Sequence, residues 1–222
     1  MLCAAVFDMD GLMIDSEPLW RLAETEVLGE LGVEVTEAMC LEIMGMRTDE
    51  VIDLWYRRFR WSGPTPAEVG DRLQRRMLDL IRDRGARMPG LEHALATCEE
   101  AGFTLAVASS STPTLIAATL AALGVADRFA TTCSAVEVAR GKPAPEVFLL
   151  AAERLGVPPT SCLVLEDSVA GVAAARAAGM RVIAVPTREV ADAAGFGGAD
   201  LVLGSLEELS AEHVNRLAAG IL

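Results

Sequence analysis

Residues 161–186 read SCLVLEDSVAGVAAARAAGMRVIAVP, in which two apolar runs flank an Ala-rich segment. Short apolar runs at 161–167 and 181–186 are typical of buried strands, and the Ala-rich residues 169–179 between them predict a helix. Strands that are apolar throughout, joined by helices, indicate a parallel sheet covered on both faces. The stretch therefore predicts an α/β protein.

The same alternation continues on both sides of this stretch. Further strands are predicted at 3–8, 103–108, 129–133 and 200–203, and further helices at 115–124, 143–155 and 206–222. The helix at 143–155 begins with proline, whose missing N–H costs nothing in a first helical turn. We expect a Rossmann-like parallel sheet core with helices on its two faces.

Residues 17–86 interrupt the alternation because they read as one helix after another. Helices are predicted at 17–32, 37–45, 49–59 and 66–85. A segment of about 70 residues is too long to be an ordinary loop after the first strand. We expect an inserted α-helical cap at 17–86 and an α/β core formed by residues 1–16 and 87–222.

Composition and charge exclude several classes of protein. The 222-residue chain is 52% hydrophobic, which predicts a globular fold, and its formal charge of −13 argues against a nucleic-acid partner. No uninterrupted apolar stretch is long enough to predict a membrane span. The first ten residues contain no basic segment and already include Asp8 and Asp10, so we expect no signal peptide. The five scattered cysteines fit reduced thiols in a cytoplasmic protein.

Polar side chains follow several of the predicted strands. Asp8 ends the first strand and Asp10 follows it, three serines at 109–111 follow the second, and Glu166 and Asp167 end the strand at 161–167. The carboxyl ends of parallel strands meet at one edge of a sheet, where such folds bind ligands. We therefore expect these groups to converge.

Lys142 is the only lysine in the sequence, and it precedes a predicted helix in the stretch GKPAP at 141–145. Its loop can reach the same edge of the sheet. A lysine provides a compact point charge on a flexible stem, whereas arginine imposes a broad planar fork. A crowded anion site would explain why this one position holds Lys.

This set of residues predicts phosphoryl chemistry. Several carboxylates crowded together cannot all ionise without a cation, and carboxylate oxygens suit Mg²⁺. Ser109 and Lys142 can bind phosphoryl oxygens. Asp8 can attack phosphorus as a nucleophile, and Asp10 can then act as general acid and base.

Each motif taken alone has an ordinary structural explanation. The Asp8–Asp10 pair could lie in a surface loop, the serines could cap a helix, and Glu166 with Asp167 could interact favourably with a helix dipole. Their position at element boundaries within one parallel-sheet pattern favours a common site.

Four segments resemble the motifs of the haloacid dehalogenase superfamily, in the order found there. They are FDMDGLMIDSE at 7–17, VASSS at 107–111, GKPAPEVF at 141–148 and LVLEDSVAGV at 163–172. The helical segment between the first two resembles the cap of one subgroup. The resemblance covers essentially the whole chain and implies an α/β core with an inserted cap.

The resemblance also implies roles for individual residues. Asp8 would be the nucleophile and Asp10 the general acid and base, while Ser109, Ser110 and Lys142 would bind the phosphoryl group. Mg²⁺ would bind Asp8, the Asp10 carbonyl and Asp167, with Glu166 as a ligand in a more distant position.

Within the superfamily, DMDGLMIDSEPLW at 8–20 and MGMRTDEVIDLWY at 44–56 look most like bacterial sugar-phosphate phosphatases, such as the hexitol and 2-deoxyglucose-6-phosphate phosphatases. β-Phosphoglucomutases usually carry His near the position of Trp20, together with a cap lysine, and this sequence has neither. Haloacid dehalogenases lack the second Asp of the first motif, which is present here as Asp10.

The sequence therefore predicts a Mg²⁺-dependent phosphatase acting on small phosphorylated metabolites, sugar or polyol phosphates above all. The cap would select the substrate through Glu17, Trp20 and Arg47, although packing of Trp20 and solvation of Arg47 are equally ordinary explanations. A β-phosphoglucomutase-type phosphoryl transfer and a phospho-accepting receiver-like switch stay open as alternatives. We expect a monomer without membrane partners.

Overall fold

Six parallel strands form one sheet within the described residues, which are 1–187 and 194–220 of the computed structural model. The strands are β1 (Ala4–Phe7), β2 (Thr104–Ser109), β3 (Thr131–Ser134), β4 (Cys162–Glu166), β5 (Arg181–Ala184) and β6 (Leu201–Val202). Their order is β3-β2-β1-β4-β5-β6. The direction of strand addition reverses between β1 and β4, where open α/β sheets bind ligands. The predicted α/β core with a Rossmann-like parallel sheet is confirmed.

Nine α-helices accompany the sheet in the part of the chain that the structure describes. They are α1 (Glu17–Gly29), α2 (Glu37–Glu42), α3 (Thr48–Phe59), α4 (Pro66–Arg84), α5 (Leu91–Glu100), α6 (Pro113–Leu123), α7 (Glu146–Leu155), α8 (Val169–Ala177) and α9 (Ala211–Ala218). None of these helices is long and apolar enough to cross a bilayer.

The central strands are buried on both faces, as their unbroken apolar sequences predict. On one face Phe7 and Leu105 belong to a cluster with residues of α5 and α6. On the other face Val6 and Ala106 belong to a second cluster with residues of α7 and α8. Every residue of β1 and β4 is buried. This burial holds both strands in the middle of the sheet, and it therefore fixes the position of the acidic residues at their ends.

Helices α1 to α4 lie between β1 and β2 and form what we call the helical insert (residues 17–86). α4 packs against both α1 and α3, and it also contacts α6 of the core. The interior of the insert includes Trp55, Leu73 and Met77, each at most 1% exposed. Thr65 starts α4 through a capping box with Glu68, so the sequence itself defines this helix end.

The chain enters and leaves the insert along two adjacent segments. Asp15 donates its backbone N–H to the Ala86 carbonyl at 2.9 Å, and Met88 donates to the Met13 carbonyl at 3.0 Å. Ile14 and Arg87 also form an antiparallel bridge. We propose that this paired crossing is the boundary between the core, 1–16 and 87–222, and a cap formed by 17–86.

Several predicted helices have different bounds in the structure, for example the helix predicted at 37–45, which ends at Glu42. The helix predicted from residue 143 begins at Glu146, because residues 142–145 form a turn and a bend before it. The continuous helix predicted at 206–222 is divided into a 3₁₀ turn, Leu206–Glu208, and α9. Ser210 separates the two by accepting a hydrogen bond from the His213 N–H, and residues 221–222 lie outside the described residues.

Helix α5 was not predicted from the sequence. Its buried residues Leu91, Ala94, Leu95 and Cys98 follow the i, i+3, i+4, i+7 spacing of an amphipathic helix. The sequence signal for α5 was therefore present between the insert and β2.

Replacing Gly171 with Ala is expected to destabilise the fold. In the first turn of α8, a Cβ at this position would overlap the carboxyl group of the buried Glu166. Overpacking of this kind costs about 1–3 kcal/mol. Urea unfolding measures the loss.

Gly70→Ala in α4 is the matched control, because the nearest atom to its new Cβ would be Ile52 Cγ1 at 4.0 Å. Better helix propensity should stabilise this control by about 0.5–1 kcal/mol. Equal stability of Gly171→Ala and wild type would contradict the packing described for α8.

Candidate active site

The candidate site lies where β1, β2 and β4 end beneath the helical insert. The register pairs Phe7 with Val107 on one side and with Leu165 on the other. The residues that follow these three strands therefore meet at one edge. Asp8 follows β1 directly, and its backbone N–H donates to the Leu165 carbonyl at 3.0 Å. The structure thus brings the residues at these strand ends together, as the sequence predicts.

Lys142 joins two of these strand ends. Its Nζ donates to Asp8 Oδ1 and to Glu166 Oε1, both at 2.5 Å, and its side chain is 1% exposed. Burial lowers the pKa of Lys142, but the two carboxylates raise it by more, so the ammonium stays protonated. The only lysine in the sequence thus provides a permanent buried charge.

Three carboxyl groups surround this single ammonium. Oxygens of Asp8, Glu166 and Asp167 lie within 4.8 Å of one another, and all three residues are buried. Burial raises the pKa of Asp8 to about 8, against the opposing charge of Lys142. Burial also raises the pKa of Asp167, as do the neighbouring Glu166 and Asp8 carboxylates. One positive charge is too little for three carboxylates, and this set of oxygen donors fits a divalent cation.

Glycines make room for the carboxyl groups. Gly11 has φ +78°, and a Cβ there would overlap the Asp167 carboxyl group. The backbone after Asp10 can therefore approach Asp167 closely only because residue 11 is Gly.

Both carboxylate oxygens of Asp10 are hydrogen-bonded. Trp20 Nε1 in α1 donates to Oδ1 at 3.0 Å, and Ser111 Oγ donates to Oδ2 at 2.8 Å. Asp10 is therefore held between the core and the helical insert. The sequence marked Trp20 as a substrate contact, and the structure also gives it this bond to Asp10. Ser111 had no predicted role, although it belongs to the serine run at the end of β2.

The other two serines of this run differ in their contacts. Ser109 is buried, and its Oγ accepts a hydrogen bond from the Ser111 N–H at 3.0 Å. Ser110 Oγ donates to the Gly45 carbonyl of the helical insert at 2.6 Å. In this conformation Ser110 joins core and insert, so its predicted phosphate contact would have to use another atom or another conformation.

Arg47 contacts the core instead of the cavity in this conformation. Its Nη1 donates to the carbonyls of Ala135 at 3.3 Å and Val138 at 3.4 Å, and its Nε donates to Asp49 at 3.0 Å. Gly141 leaves space for this side chain, since a Cβ there would lie 2.8 Å from Arg47 Cδ. Arg47 is absent from the described residues that line the cavity. Its predicted substrate contact stays a prediction.

A cavity of about 70 Å³ lies between the strand ends and the insert. It has room for several water molecules or for part of a small ligand. The core contributes Asp8, Asp10, residues 109–111 and Asp167, and the insert contributes Glu17, Trp20, Arg21, Glu24, Cys40, residues 43–46, Thr48, Val51 and Leu73.

Glu24 is a cavity residue that the sequence reasoning missed. It is 4% exposed, and Cys40 Sγ donates to its Oε2 at 3.6 Å. Burial raises the pKa of Glu24 to about 7. Glu24 lies on the same side of α1 as the buried Ala23, Val27 and Leu28. An acidic residue on an apolar helix face is a signal that could have identified it.

Replacing Glu24 with Gln is expected to change how stability depends on pH. The pKa of this carboxyl rises from 4.5 to about 7 on folding, so its stabilising contribution is full below 4.5 and is lost as pH rises through 7. Gln does not titrate. The free energy of unfolding of Glu24→Gln should therefore exceed that of wild type increasingly between about pH 5 and pH 8, by up to about 3 kcal/mol.

Urea unfolding across this pH range measures the effect. Glu26→Gln on the same helix is the control, because an ion pair with Arg76 lowers the pKa of the exposed Glu26 below that range. Parallel pH profiles for wild type and Glu24→Gln would contradict the burial of an ionisable Glu24.

Comparison with known proteins agrees with this architecture. Residues 4–179 match the family model of haloacid dehalogenase-like hydrolases. The chain is 42% identical over 214 residues to hexitol phosphatase B of Escherichia coli (strain K12), covering 96% of each chain. A crystal structure of CbbY from Rhodobacter sphaeroides in complex with phosphate has a TM-score of 0.86 at 30% identity, covering 94% of this chain and 96% of that one.

A crystal structure of β-phosphoglucomutase from Clostridium difficile has a TM-score of 0.85 at 23% identity, covering 100% of this chain and 99% of that one, and it shows a shared fold. The resemblance found in the four motifs is confirmed. From its first strand to the end of α8, this chain belongs to the haloacid dehalogenase-like hydrolases.

Proposed function

We propose that this chain is a Mg²⁺-dependent phosphatase of small phosphorylated metabolites, sugar or polyol phosphates, acting through an aspartyl-phosphate on Asp8. The observation that carries the proposal is the position of Asp8. Its carboxylate is buried at the cavity, bonded to Lys142 at 2.5 Å and adjacent to Asp167. A carboxylate next to a fixed ammonium and a group of oxygen ligands suits attack on a phosphoryl group.

We assign Mg²⁺ to Asp8, Asp167 and the Asp10 carbonyl, with Glu166 in a more distant position. Both Glu166 oxygens already accept hydrogen bonds, Oε1 from Lys142 at 2.5 Å and Oε2 from Ser168 Oγ at 3.0 Å, which supports an indirect role. When bound, the cation would neutralise carboxylate charge and polarise the phosphoryl oxygens.

In the first half of the reaction, a carboxylate oxygen of Asp8 attacks phosphorus, and the bond from phosphorus to the substrate oxygen breaks. Asp10 donates its proton to the departing oxygen, which leaves as an alcohol. Lys142 balances charge on Asp8 and Glu166, and Ser109, with Ser110 as a further candidate, donates hydrogen bonds to the phosphoryl oxygens. Trp20 and Ser111 hold both oxygens of Asp10, which fixes the direction of its proton.

In the second half, water attacks the aspartyl-phosphate. Asp10 accepts a proton from this water, the bond between phosphorus and Asp8 breaks, and inorganic phosphate leaves. Both starting carboxyl groups are regenerated. The helical insert limits access of bulk water, which protects the acyl phosphate until Asp10 has changed from acid to base.

The substrate class rests on the cavity and on the relatives. The space between insert and core suits a small molecule, and hexitol phosphatase B supports a phosphorylated polyol or sugar. A formal charge of −13 disfavours a nucleic-acid substrate. We also propose that the protein acts in the cytoplasm as a monomer. The insert could then select substrates through Glu17, Trp20 and, after a change of conformation, Arg47.

A mutase would share the first half of this reaction and would return the phosphoryl group to a sugar hydroxyl. The absence of lysine from residues 17–86, and Trp20 in place of His, favour hydrolysis. A receiver-like switch would not need a cavity under a helical insert. Multiple turnover on p-nitrophenyl phosphate distinguishes the enzyme from the switch.

Asp8→Asn should abolish phosphate release, lowering kcat by at least about a thousandfold, because an amide cannot form the acyl phosphate. The assay measures inorganic phosphate from a panel of phosphorylated metabolites, with and without EDTA. Asp15→Asn, at an exposed position later in the same motif, is the control and should keep wild-type turnover. Near wild-type activity in Asp8→Asn, with circular dichroism showing an intact fold, would contradict the assignment of the nucleophile.

A further inference from the structure

The part of the cavity wall that the helical insert forms contains polar side chains that the proposed reaction does not use. Arg21 and Glu24 come from α1 and Cys40 from α2. Apolar residues of the insert, including Ile43 and Leu73, lie around them. A mainly apolar pocket with a few converging polar groups is the usual form of a specificity site.

Glu24 is the most deeply buried of these three residues, with 4% of its surface exposed. Among the described residues its Oε2 accepts a hydrogen bond only from the weak Cys40 S–H donor, at 3.6 Å, whereas a carboxyl group can take part in several hydrogen bonds. Arg21 Nε is also buried and has no hydrogen-bond partner among the described residues. Both groups retain unused hydrogen-bonding capacity on one wall, and this argues for a polar ligand there.

The charges near Glu24 are those of Glu17 and Arg21 on its own helix, and Cys40 faces it from α2. Burial raises the pKa of Glu24 to about 7, so at neutral pH much of this carboxyl is uncharged. An uncharged carboxyl both donates and accepts a hydrogen bond, as a hydroxyl does. The Glu24 carboxyl and a ligand hydroxyl can therefore each donate a hydrogen bond to the other and accept one from it.

An anionic ligand would be received poorly on this wall. Arg21 Nη1 lies 3.9 Å from Glu37, and Arg47 is bonded to Asp49 and to core carbonyls. An approaching phosphate or carboxylate would thus meet Glu24, which is partly ionised at neutral pH, beside an Arg21 whose charge is already shared with Glu37. Burying an anion beside the ionised form of Glu24 would carry a large desolvation cost.

We propose that Glu24, Cys40 and Arg21 form a subsite for the hydroxyl-bearing end of the substrate, distant from the phosphate that is hydrolysed. This subsite selects monophosphates with an uncharged polyhydroxy chain over molecules that carry a carboxylate or a second phosphate at that end. The inference rests on the proposed phosphatase function and adds a specificity-determining residue, Glu24, to it.

Three probe substrates test the subsite. Glucitol 6-phosphate and 6-phosphogluconate have the same carbon chain and differ at the distal end, a hydroxymethyl in one and a carboxylate in the other. p-Nitrophenyl phosphate has no hydroxylated chain. Phosphate release is measured at about pH 7 for wild type, Glu24→Gln, Glu24→Leu and the control Glu26→Gln, which changes an exposed carboxylate of the same helix.

Wild type should prefer glucitol 6-phosphate to 6-phosphogluconate by at least about tenfold in kcat/KM. Glu24→Leu should lower kcat/KM for glucitol 6-phosphate by about 10- to 100-fold, mainly through KM, because the hydroxyl end loses its partner. The same variant should stay within about threefold of wild type on p-nitrophenyl phosphate. Glu24→Gln, which still donates and accepts, should retain glucitol 6-phosphate hydrolysis while the preference over 6-phosphogluconate falls.

An equal loss on all three substrates in Glu24→Leu would overturn the subsite, as would an unchanged preference in Glu24→Gln or an equal change in Glu26→Gln. Gln has nearly the shape of Glu, so Glu24→Gln gives an answer even if Glu24→Leu does not fold. Wild-type turnover of p-nitrophenyl phosphate separates the two claims. If wild type does not turn over p-nitrophenyl phosphate, the proposed function fails and the subsite with it. If it does, the results of the variants test the subsite alone.

Discussion

The buried ammonium of Lys142 is the constraint on which the site depends. It bonds Asp8 after β1 and Glu166 at the end of β4, both at 2.5 Å, and so joins the two strands between which strand addition reverses. A buried charge is stable only when it is paired and hydrogen-bonded, so removing Lys142 would leave both carboxylates uncompensated. Asp167 remains outside this pairing, and its carboxylate is the reason for expecting a cation.

The same arrangement explains the small residues around it. Gly11 and Gly171 lie where a Cβ would overlap the carboxyl groups of Asp167 and Glu166, respectively. The glycines thus belong to the electrostatics of the site as much as to its turns, since they allow the backbone to close around several acids.

The helical insert is attached to the catalytic edge at more than one point. Trp20 bonds Asp10 at 3.0 Å, Ser110 bonds the Gly45 carbonyl at 2.6 Å, and Gln74 accepts from Thr112 at 3.0 Å. The element that would recognise the substrate therefore also holds the proposed acid and base. If Glu24 binds the hydroxyl end of the substrate, one helix, α1, contacts both that end and the proposed acid and base, Asp10.

The sequence predicted the fold and the groups that meet at the strand ends because both follow from local patterns. Apolar runs fixed the strands, and the residue after each run had to lie at one edge of a parallel sheet. Contacts that depend on how the insert sits on the core could not be predicted this way. Arg47 reaches core carbonyls from 88 and 91 residues away in sequence, and no local pattern encodes that distance. Glu24 was the exception, since an acid on the apolar face of α1 was visible in the sequence.

Calorimetric titration with Mg²⁺ tests the central claim most directly, because it measures binding of the cation to the carboxylates without requiring turnover. The account predicts that wild type and the exposed control Asp127→Asn bind about one ion per chain, and that Asp167→Asn binds at least about tenfold more weakly. Equal affinity in Asp167→Asn, or no binding to wild type, would contradict a cation site formed by Asp8 and Asp167 beside Lys142.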